Sequence, residues 1–358
     1  MKPALDFSVS PMVAIWEVTR ACDLACVHCR ASAMARRDPH ELSTAESLDL
    51  IKQFRDLNPG VLVLTGGDPL KRPDLFPLIE AAVDAGLTVA ITPSVTPLLT
   101  GDAIERLAAA GISRMALSLD GPDAATHDTF RGTPGAFAAT RDAIAAAHAI
   151  DLPLQINTSL SRKTVGGLEA TGRLVAEIAP TLWSVFFVVP VGRAAHDQQL
   201  DAATCERVFH YLAVWSDTNG LPVKTTAAQA YRRVVLQRAT ERVRAGGVRG
   251  VRPPAVNDAK GFVFVSHTGE VYPSGFLPLS AGNIRDQRLA AIYRHGPLFQ
   301  ALRDAGRLEG KCGRCEFRHV CGGSRARAFA VSGNVFAEDP ACAYEPALDI
   351  RPVHDAVQ

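Results

Sequence analysis

The fold is decided by the stretch Val13-Ala14-Ile15-Trp16-Glu17-Val18-Thr19-Arg20-Ala21-Cys22-Asp23-Leu24-Ala25-Cys26-Val27-His28-Cys29-Arg30. A nearly unbroken apolar run, Val13 to Val18, leads directly into a loop with cysteines spaced Cys-x3-Cys-x2-Cys. Apolar runs of this kind recur at Val61-Leu62-Val63-Leu64-Thr65, Thr88-Val89-Ala90-Ile91-Thr92, Arg114-Met115-Ala116-Leu117-Ser118-Leu119, Leu154-Gln155-Ile156-Asn157-Thr158 and Trp183-Ser184-Val185-Phe186-Phe187-Val188-Val189. Such strands, separated by helices, read as a parallel sheet covered on both faces. The intervening segments carry helix-start signals. Ser43-Thr44-Ala45-Glu46 forms a capping box, Asp74 precedes an apolar-periodic stretch through Val83, and Thr133-Pro134 opens the alanine-rich segment Phe137 to Ile150. Six strand–helix units predict an α/β fold, either an open partial barrel or a doubly wound sheet. In both, active residues gather at the carboxyl ends of the strands.

The first cysteine group stands at such a strand end. Three thiolates on one short loop can hold three irons of a cubane cluster and leave the fourth open for a substrate. The competing assignment is a zinc knuckle. Zinc usually takes four closed ligands, and His28 lies too close between two cysteines to complete a tetrahedron easily. A second group, Cys312, Cys315, Cys321 and Cys342, follows the pattern Cys-x2-Cys-x5-Cys-x20-Cys. Four thiolates can saturate a cubane, or a structural zinc.

At 358 residues the chain has length for about two domains. Hydrophobic residues are 47% and charged residues 21%, values of a globular protein rather than a disordered or fibrous one. Basic and acidic residues balance at 38 and 37, so the global basic excess that draws proteins to nucleic acid or anionic lipid is missing. Neither an apolar signal core nor a run of ~18 apolar residues is seen, which predicts neither export nor membrane spanning. The expected compartment is the cytoplasm, where eight cysteines read as metal ligands or catalytic groups rather than disulfides.

After a helix near Ala203 to Trp215, Thr240 to Gly261 is rich in Gly, Arg and Pro and reads as a linker or mobile loop. A hairpin follows, Phe262 to Ser266 and Glu270 to Tyr272 about the turn His267-Thr268-Gly269. A boundary near Ala255 divides the chain into 1–255 and 256–358. Seven arginines, Arg232, Arg233, Arg238, Arg242, Arg244, Arg249 and Arg252, could pair with substrate carboxylates or form the solvated face of a helix. Cys205, in a predicted helix far from both cysteine groups, reads as a packed core residue.

Cys-x3-Cys-x2-Cys after the first strand, followed by Gly66-Gly67-Asp68-Pro69 after the second, resembles the radical S-adenosylmethionine (SAM) superfamily. The resemblance implies a partial (β/α)6 TIM-like barrel in which Cys22, Cys26 and Cys29 hold a [4Fe-4S] cluster. SAM chelates its open iron, and one electron cleaves the sulfonium to a 5'-deoxyadenosyl radical that abstracts a substrate hydrogen. By the same resemblance Gly66, Gly67 and Asp68 (where the family usually has Glu) hold the SAM amino group. Ser118 and Arg131 meet its carboxylate, with Asp120 nearby, and His28 stands beside the adenine. Asn157, Val191 and Gly192 sit where the family surrounds ribose and adenine. Each has a plain structural alternative: loop histidine for His28, turn or cap for Asp120, strand polar residue for Asn157, turn residues for Val191 and Gly192.

The hairpin and the second cysteine group resemble a SPASM/Twitch auxiliary-cluster domain, a small α+β extension. Where larger SPASM domains have a further cysteine, this chain has Tyr272-Pro273-Ser274-Gly275, which implies one auxiliary [4Fe-4S] cluster rather than two. The spacing is most similar to radical SAM enzymes of alternative haem and haem-d biosynthesis, which alter porphyrin side chains. The expected activity is therefore hydrogen abstraction from a small molecule such as a tetrapyrrole, with the auxiliary cluster transferring electrons. An external one-electron donor such as a flavodoxin or ferredoxin is expected. Peptide maturation by oxidation or cross-linking, and a non-enzymatic iron–sulfur or zinc protein, are the alternatives.

Overall fold

A computed structural model of the chain describes residues 6–244 and 254–347. Seven parallel strands run β1 (Val13–Thr19), β2 (Val61–Gly66), β3 (Val89–Ile91), β4 (Arg114–Ser118), β5 (Leu154–Leu160), β6 (Leu182–Phe187) and β7 (Val223–Thr226), each hydrogen-bonded to the next. Around them lie α1 (Thr44–Leu57), α2 (Leu75–Asp84), α3 (Gly101–Ala109), α4 (Ala124–Arg131), α5 (Ala136–Ala149), α6 (Leu168–Ile178), α7 (Ala202–Asn219) and α8 (Tyr231–Arg244). The six predicted strands are all present. The seventh, Val-Lys-Thr-Thr, was not evident because it holds a single apolar residue and so presents no apolar run.

The hairpin is also present as β8 (Phe262–Val265) and β9 (Glu270–Tyr272), with a short β10 (Gly282–Asn283) beyond it. β8 pairs in parallel with β1, from Val13 opposite Phe262 to Trp16 opposite Val265. One ten-stranded sheet results, in the order β10-β9-β8-β1-β2-β3-β4-β5-β6-β7. Within the predicted linker, Thr240 to Arg244 belong to α8. Residues 245–253, with Arg249 and Arg252, lie outside the described residues.

Side-chain alternation separates the two faces of this sheet. Trp16, Leu62, Leu64, Ile91, Leu117, Ile156 and Trp183 point to the helices and are fully buried there. Their neighbours in sequence, among them Ile15, Val63, Ala90, Ala116 and Asn157, face the lumen and line a cavity together with Phe264 of β8, the strand partner of Ile15. Alanine at the β3 and β4 positions leaves that lumen open.

The capping box forms as predicted: the Ser43 N–H donates to Glu46 Oε2 at 2.8 Å, and the Glu46 N–H to Ser43 Oγ at 3.3 Å. Asp74 precedes α2 but makes no side-chain cap, because Arg72 Nε and Thr44 Oγ1, each at 2.8 Å, occupy its carboxylate. Among the described residues no helix is long and apolar enough to cross a membrane.

Candidate active site

Cys22, Cys26 and Cys29 follow β1 and line the wall of a cavity of ≈ 870 Å³ that occupies the lumen. Each sulfur meets a hydrogen-bond donor. The Leu24 N–H reaches Cys22 Sγ at 3.4 Å, the Ala33 N–H reaches Cys29 Sγ at 3.5 Å, and the Arg131 guanidinium lies 3.8 Å from Cys26 Sγ. Ser94, at the end of β3, adds a contact to Cys22 at 3.5 Å. Donors of this kind favour thiolate, whereas burial pushes the Cys22 thiol up. A loop with that conflict suits a positively charged metal centre, which settles the sulfurs as thiolates.

The rest of the fold grips the back of the loop. Arg193 donates from its backbone to Cys29 O at 3.0 Å, from Nε to Cys26 O at 3.0 Å and from Nη1 to Ala33 O at 3.2 Å. The Val27 N–H bonds to Phe130 O at 3.3 Å, and the Asp68 N–H to Ala21 O at 2.6 Å. Two glycines permit this closeness. A Cβ on Gly67 would stand 2.4 Å from Ala21 O, and one on Gly192 would stand 2.3 Å from Arg30 O.

Of the residues the resemblance assigns to SAM, His28, Gly66, Gly67, Ser118, Arg131 and Asn157 line the cavity with the three cysteines. Asp68, Asp120, Val191 and Gly192 are not brought to its wall. Asp68 is fully buried, accepts from Thr96 Oγ1 at 2.7 Å, and caps the short turn Pro69–Lys71 through the Leu70 N–H at 3.2 Å. Asp120 accepts from Arg131 Nη2 at 2.6 Å and Nε at 2.7 Å, and from the Ser159 N–H at 2.6 Å. It aims Arg131 into the site. Val191 packs against the core, and Gly192 backs the cysteine loop.

His28 stacks on Phe130 with ring centroids 4.0 Å apart and planes 8° from parallel. Burial, helped by Arg131, depresses its pKa to about 4, so it is neutral at physiological pH. Its Nδ1 is buried and unpartnered among the described residues, an edge free to hydrogen-bond a heteroaromatic ligand. Sequence reading passed over Ser94 and Arg193. Pro93-Ser94 follows the third strand much as Gly66-Gly67 follows the second, and Arg193 directly follows Gly192, so position was the available signal.

The thiols of the second cysteine group lie near enough to feel one another's charge. Burial, then the nearby charges of Glu316, Cys312 and Cys342, pushes Cys315 up to about 11. Burial, then Cys342 and Cys312, takes Cys321 to about 12 despite the Gly323 N–H. Arg325 Nη2 at 3.7 Å and the Asp339 N–H at 3.4 Å point at Cys312 Sγ, and the Gly323 N–H reaches Cys321 Sγ at 3.4 Å. Among the described residues no three His, Cys, Asp or Glu side chains converge tightly enough to ligate a single ion. Cys205 is core-buried as expected, with its thiol pushed up to about 12, chiefly by burial. It is not remote, however: charges on Arg327, Asp339 and Cys342 all reach it.

Residues 16–164 match the family model of the radical SAM superfamily, and residues 258–316 match SPASM, an iron–sulfur cluster-binding domain. Over 94% of its length the chain is 38% identical to the AdoMet-dependent heme synthase of Methanosarcina barkeri, covering 97% of that protein. The chain belongs to the radical SAM superfamily. A second radical SAM relative, the AdoMet-dependent heme synthase of Nitratidesulfovibrio vulgaris, is 40% identical over 95% of this chain and 94% of its own. Among solved structures, Streptococcus suis SuiB bound to S-adenosylmethionine matches with a TM-score of 0.72 at 17% identity, over 94% of this chain and 78% of that one. That likeness is one of fold. As a radical SAM enzyme with a SPASM domain, the protein works with a SAM-binding [4Fe-4S] cluster, an auxiliary cluster and SAM.

Proposed function

We propose that this radical SAM enzyme abstracts hydrogen from a propionate side chain of a tetrapyrrole, as the names of its heme-synthase relatives suggest. The observation that carries the reading is the lumen cavity of ≈ 870 Å³. The three-cysteine loop opens into it at one end, and Phe186, Phe262, Phe264 and Phe276 stand in its wall. A volume near the top of the usual range for small-molecule sites, with aromatic walls, suits a flat conjugated macrocycle beside SAM.

In this reading Cys22, Cys26 and Cys29 hold the SAM-binding cluster, and Cys312, Cys315, Cys321 and Cys342 hold the auxiliary one. With SAM bound, the first supplies one-electron sulfonium cleavage and hydrogen-atom abstraction. The chain's residues position and exclude. Arg131, held by Asp120, and Ser118 receive the methionyl carboxylate; Gly66 and Gly67 admit the amino group; His28 and Asn157 face adenine and ribose. Asp68, Val191 and Gly192 shape the turns that present them. Four cysteines leave the auxiliary cluster no open iron, which suits it to electron transfer. An external donor such as a flavodoxin or ferredoxin, a cytoplasmic location and a division near residue 255 complete the reading.

The test is anaerobic reconstitution followed by incubation with SAM, dithionite and iron-coproporphyrin III deuterated in its propionates. Deuterium should appear in 5'-deoxyadenosine. Deuterium arriving only from a labelled peptide, or none from the porphyrin, refutes the reading.

A further inference from the structure

The cavity does not end at the cysteine loop. It descends the lumen to the amino-terminal ends of the strands, where Met12, Gly60, Arg114, Leu182 and Pro222 line it. Arg114 opens β4 and Ser118 closes it, so the floor lies roughly 13 Å below the SAM-side residues at ~3.3 Å per residue. Two cations stand at this floor, Arg114 and Lys224 of β7, and a third, Arg232 at the start of α8 beyond the carboxyl end of β7, lines the same cavity close enough for its charge to reach Lys224.

These differ from the other cationic side chains in the wall. Arg30 is paired with Glu17 at 2.9 Å and Arg131 with Asp120, while Arg193 spends its guanidinium on main-chain carbonyls of the cysteine loop. Arg114 and Lys224, by contrast, have no side-chain hydrogen bond or ion pair among the described residues, and Arg114 Nε is buried without a partner. Arg232 has one hydrogen bond, to Val320 O at 3.2 Å, and the charges of Cys321 and Asp258 partly offset its own. Burial pushes Lys224 down to about 8, and Arg114 and Arg232, bearing the same charge, push in the same direction. Among the described residues the one carboxylate in the wall is Asp258, which Ser274 and the Ala326 N–H engage, which burial pushes up, and whose charge acts on Arg232 rather than on Arg114 or Lys224.

Arg114 and Lys224, like charges in a low-dielectric lumen on which no negative charge acts among the described residues, cost stability unless a ligand supplies the counter-charge. We propose that Arg114, Lys224 and Arg232 are an anion-binding floor that seats substrate carboxylates remote from the reacting one. This rests on the tetrapyrrole reading and deepens it: the substrate is a polycarboxylate, held by its far edge so that a near side chain faces the cysteine loop. Of the seven arginines between 232 and 252, Arg232 alone among the described residues lines the cavity. Arg233 pairs with Glu206, and Arg238 and Arg242 pair with Asp217.

The test compares binding of iron-coproporphyrin III and its tetramethyl ester, by Soret titration, to the cluster-loaded full chain. The wild type should favour the acid at least tenfold. Lys224→Gln combined with Arg114→Gln should abolish that preference by weakening acid binding alone. Lys224→Arg should retain the preference, and Arg242→Gln, which removes a charge outside the cavity, should leave it intact. An unchanged acid preference in the double variant overturns the floor. Equal binding of acid and ester by the wild type does the same while leaving the tetrapyrrole reading standing. Binding of neither porphyrin overturns both.

Discussion

Replacing Gly192 by alanine tests whether the turn after β6 holds the cluster loop in shape. Gly192 has φ +67°, and a Cβ there would stand 2.3 Å from Arg30 O and 2.4 Å from Cys29 O. Two costs follow. The left-handed backbone disfavours alanine by roughly 1–2 kcal/mol. The overlap adds to this, because carbonyl oxygens at that range must retreat by about 1 Å to reach ordinary contact, and they belong to the loop that carries Cys29. Gly220 isolates the first cost: it has φ +65° and nothing within 4 Å of its would-be Cβ. Gly220→Ala should therefore lower the melting temperature by about 2 °C, the usual effect of ~1 kcal/mol in a chain of this size, with full iron content. Gly192→Ala should lower it further and reduce the iron and sulfide bound on anaerobic reconstitution, together with SAM cleavage. If Gly192→Ala binds iron and cleaves SAM like Gly220→Ala, the turn does not brace the loop and the reasoning fails.

Two further perturbations follow from buried charges. Asp120→Asn strands the Arg131 guanidinium, whose side chain is 14% exposed against a fully buried partner, and should cost about 3–5 kcal/mol in urea unfolding; a loss below about 1 kcal/mol would show that the pair does not anchor the site. His127, 1% exposed, accepts the Asp120 N–H at Nδ1, and burial lowers its pKa from 6.5 to about 4. The unfolded chain therefore takes up the proton first as pH falls. The stability this histidine contributes is complete above about pH 6.5 and declines toward pH 4, by about 3 kcal/mol in all. Unfolding free energies of wild type and His127→Gln between pH 7 and 4.5 should diverge accordingly, and parallel curves would refute the assignment.

What could be read from sequence was local. The cysteine spacings, the glycine pair at Gly66 and Gly67 and the capping box at Ser43 lie within a few residues of one another, and their geometry is set by the short chain between them. The apolar strands were equally plain, since a strand buried on one face by helices keeps its pattern wherever it pairs. β7 escaped because its lumen face carries Lys224 where a packed barrel would have an apolar residue. Asp68 and Asp120 could not be resolved in advance: a carboxylate beside a strand end looks the same whether it meets a ligand or, as here, a threonine hydroxyl or an arginine.

The sequence by itself determined the chemistry on offer, three thiols on one loop and four on another, together with the strand–helix order that puts the first loop at a strand end. Tertiary structure alone decided which charges are neutralised. Arg131 and Arg233 find carboxylates 11 and 27 residues away, whereas Lys224 of β7 meets only the like charges of Arg114 and Arg232 among the described residues. Pairing across a curved sheet depends on register and curvature summed over many strands, and no window of sequence contains that sum.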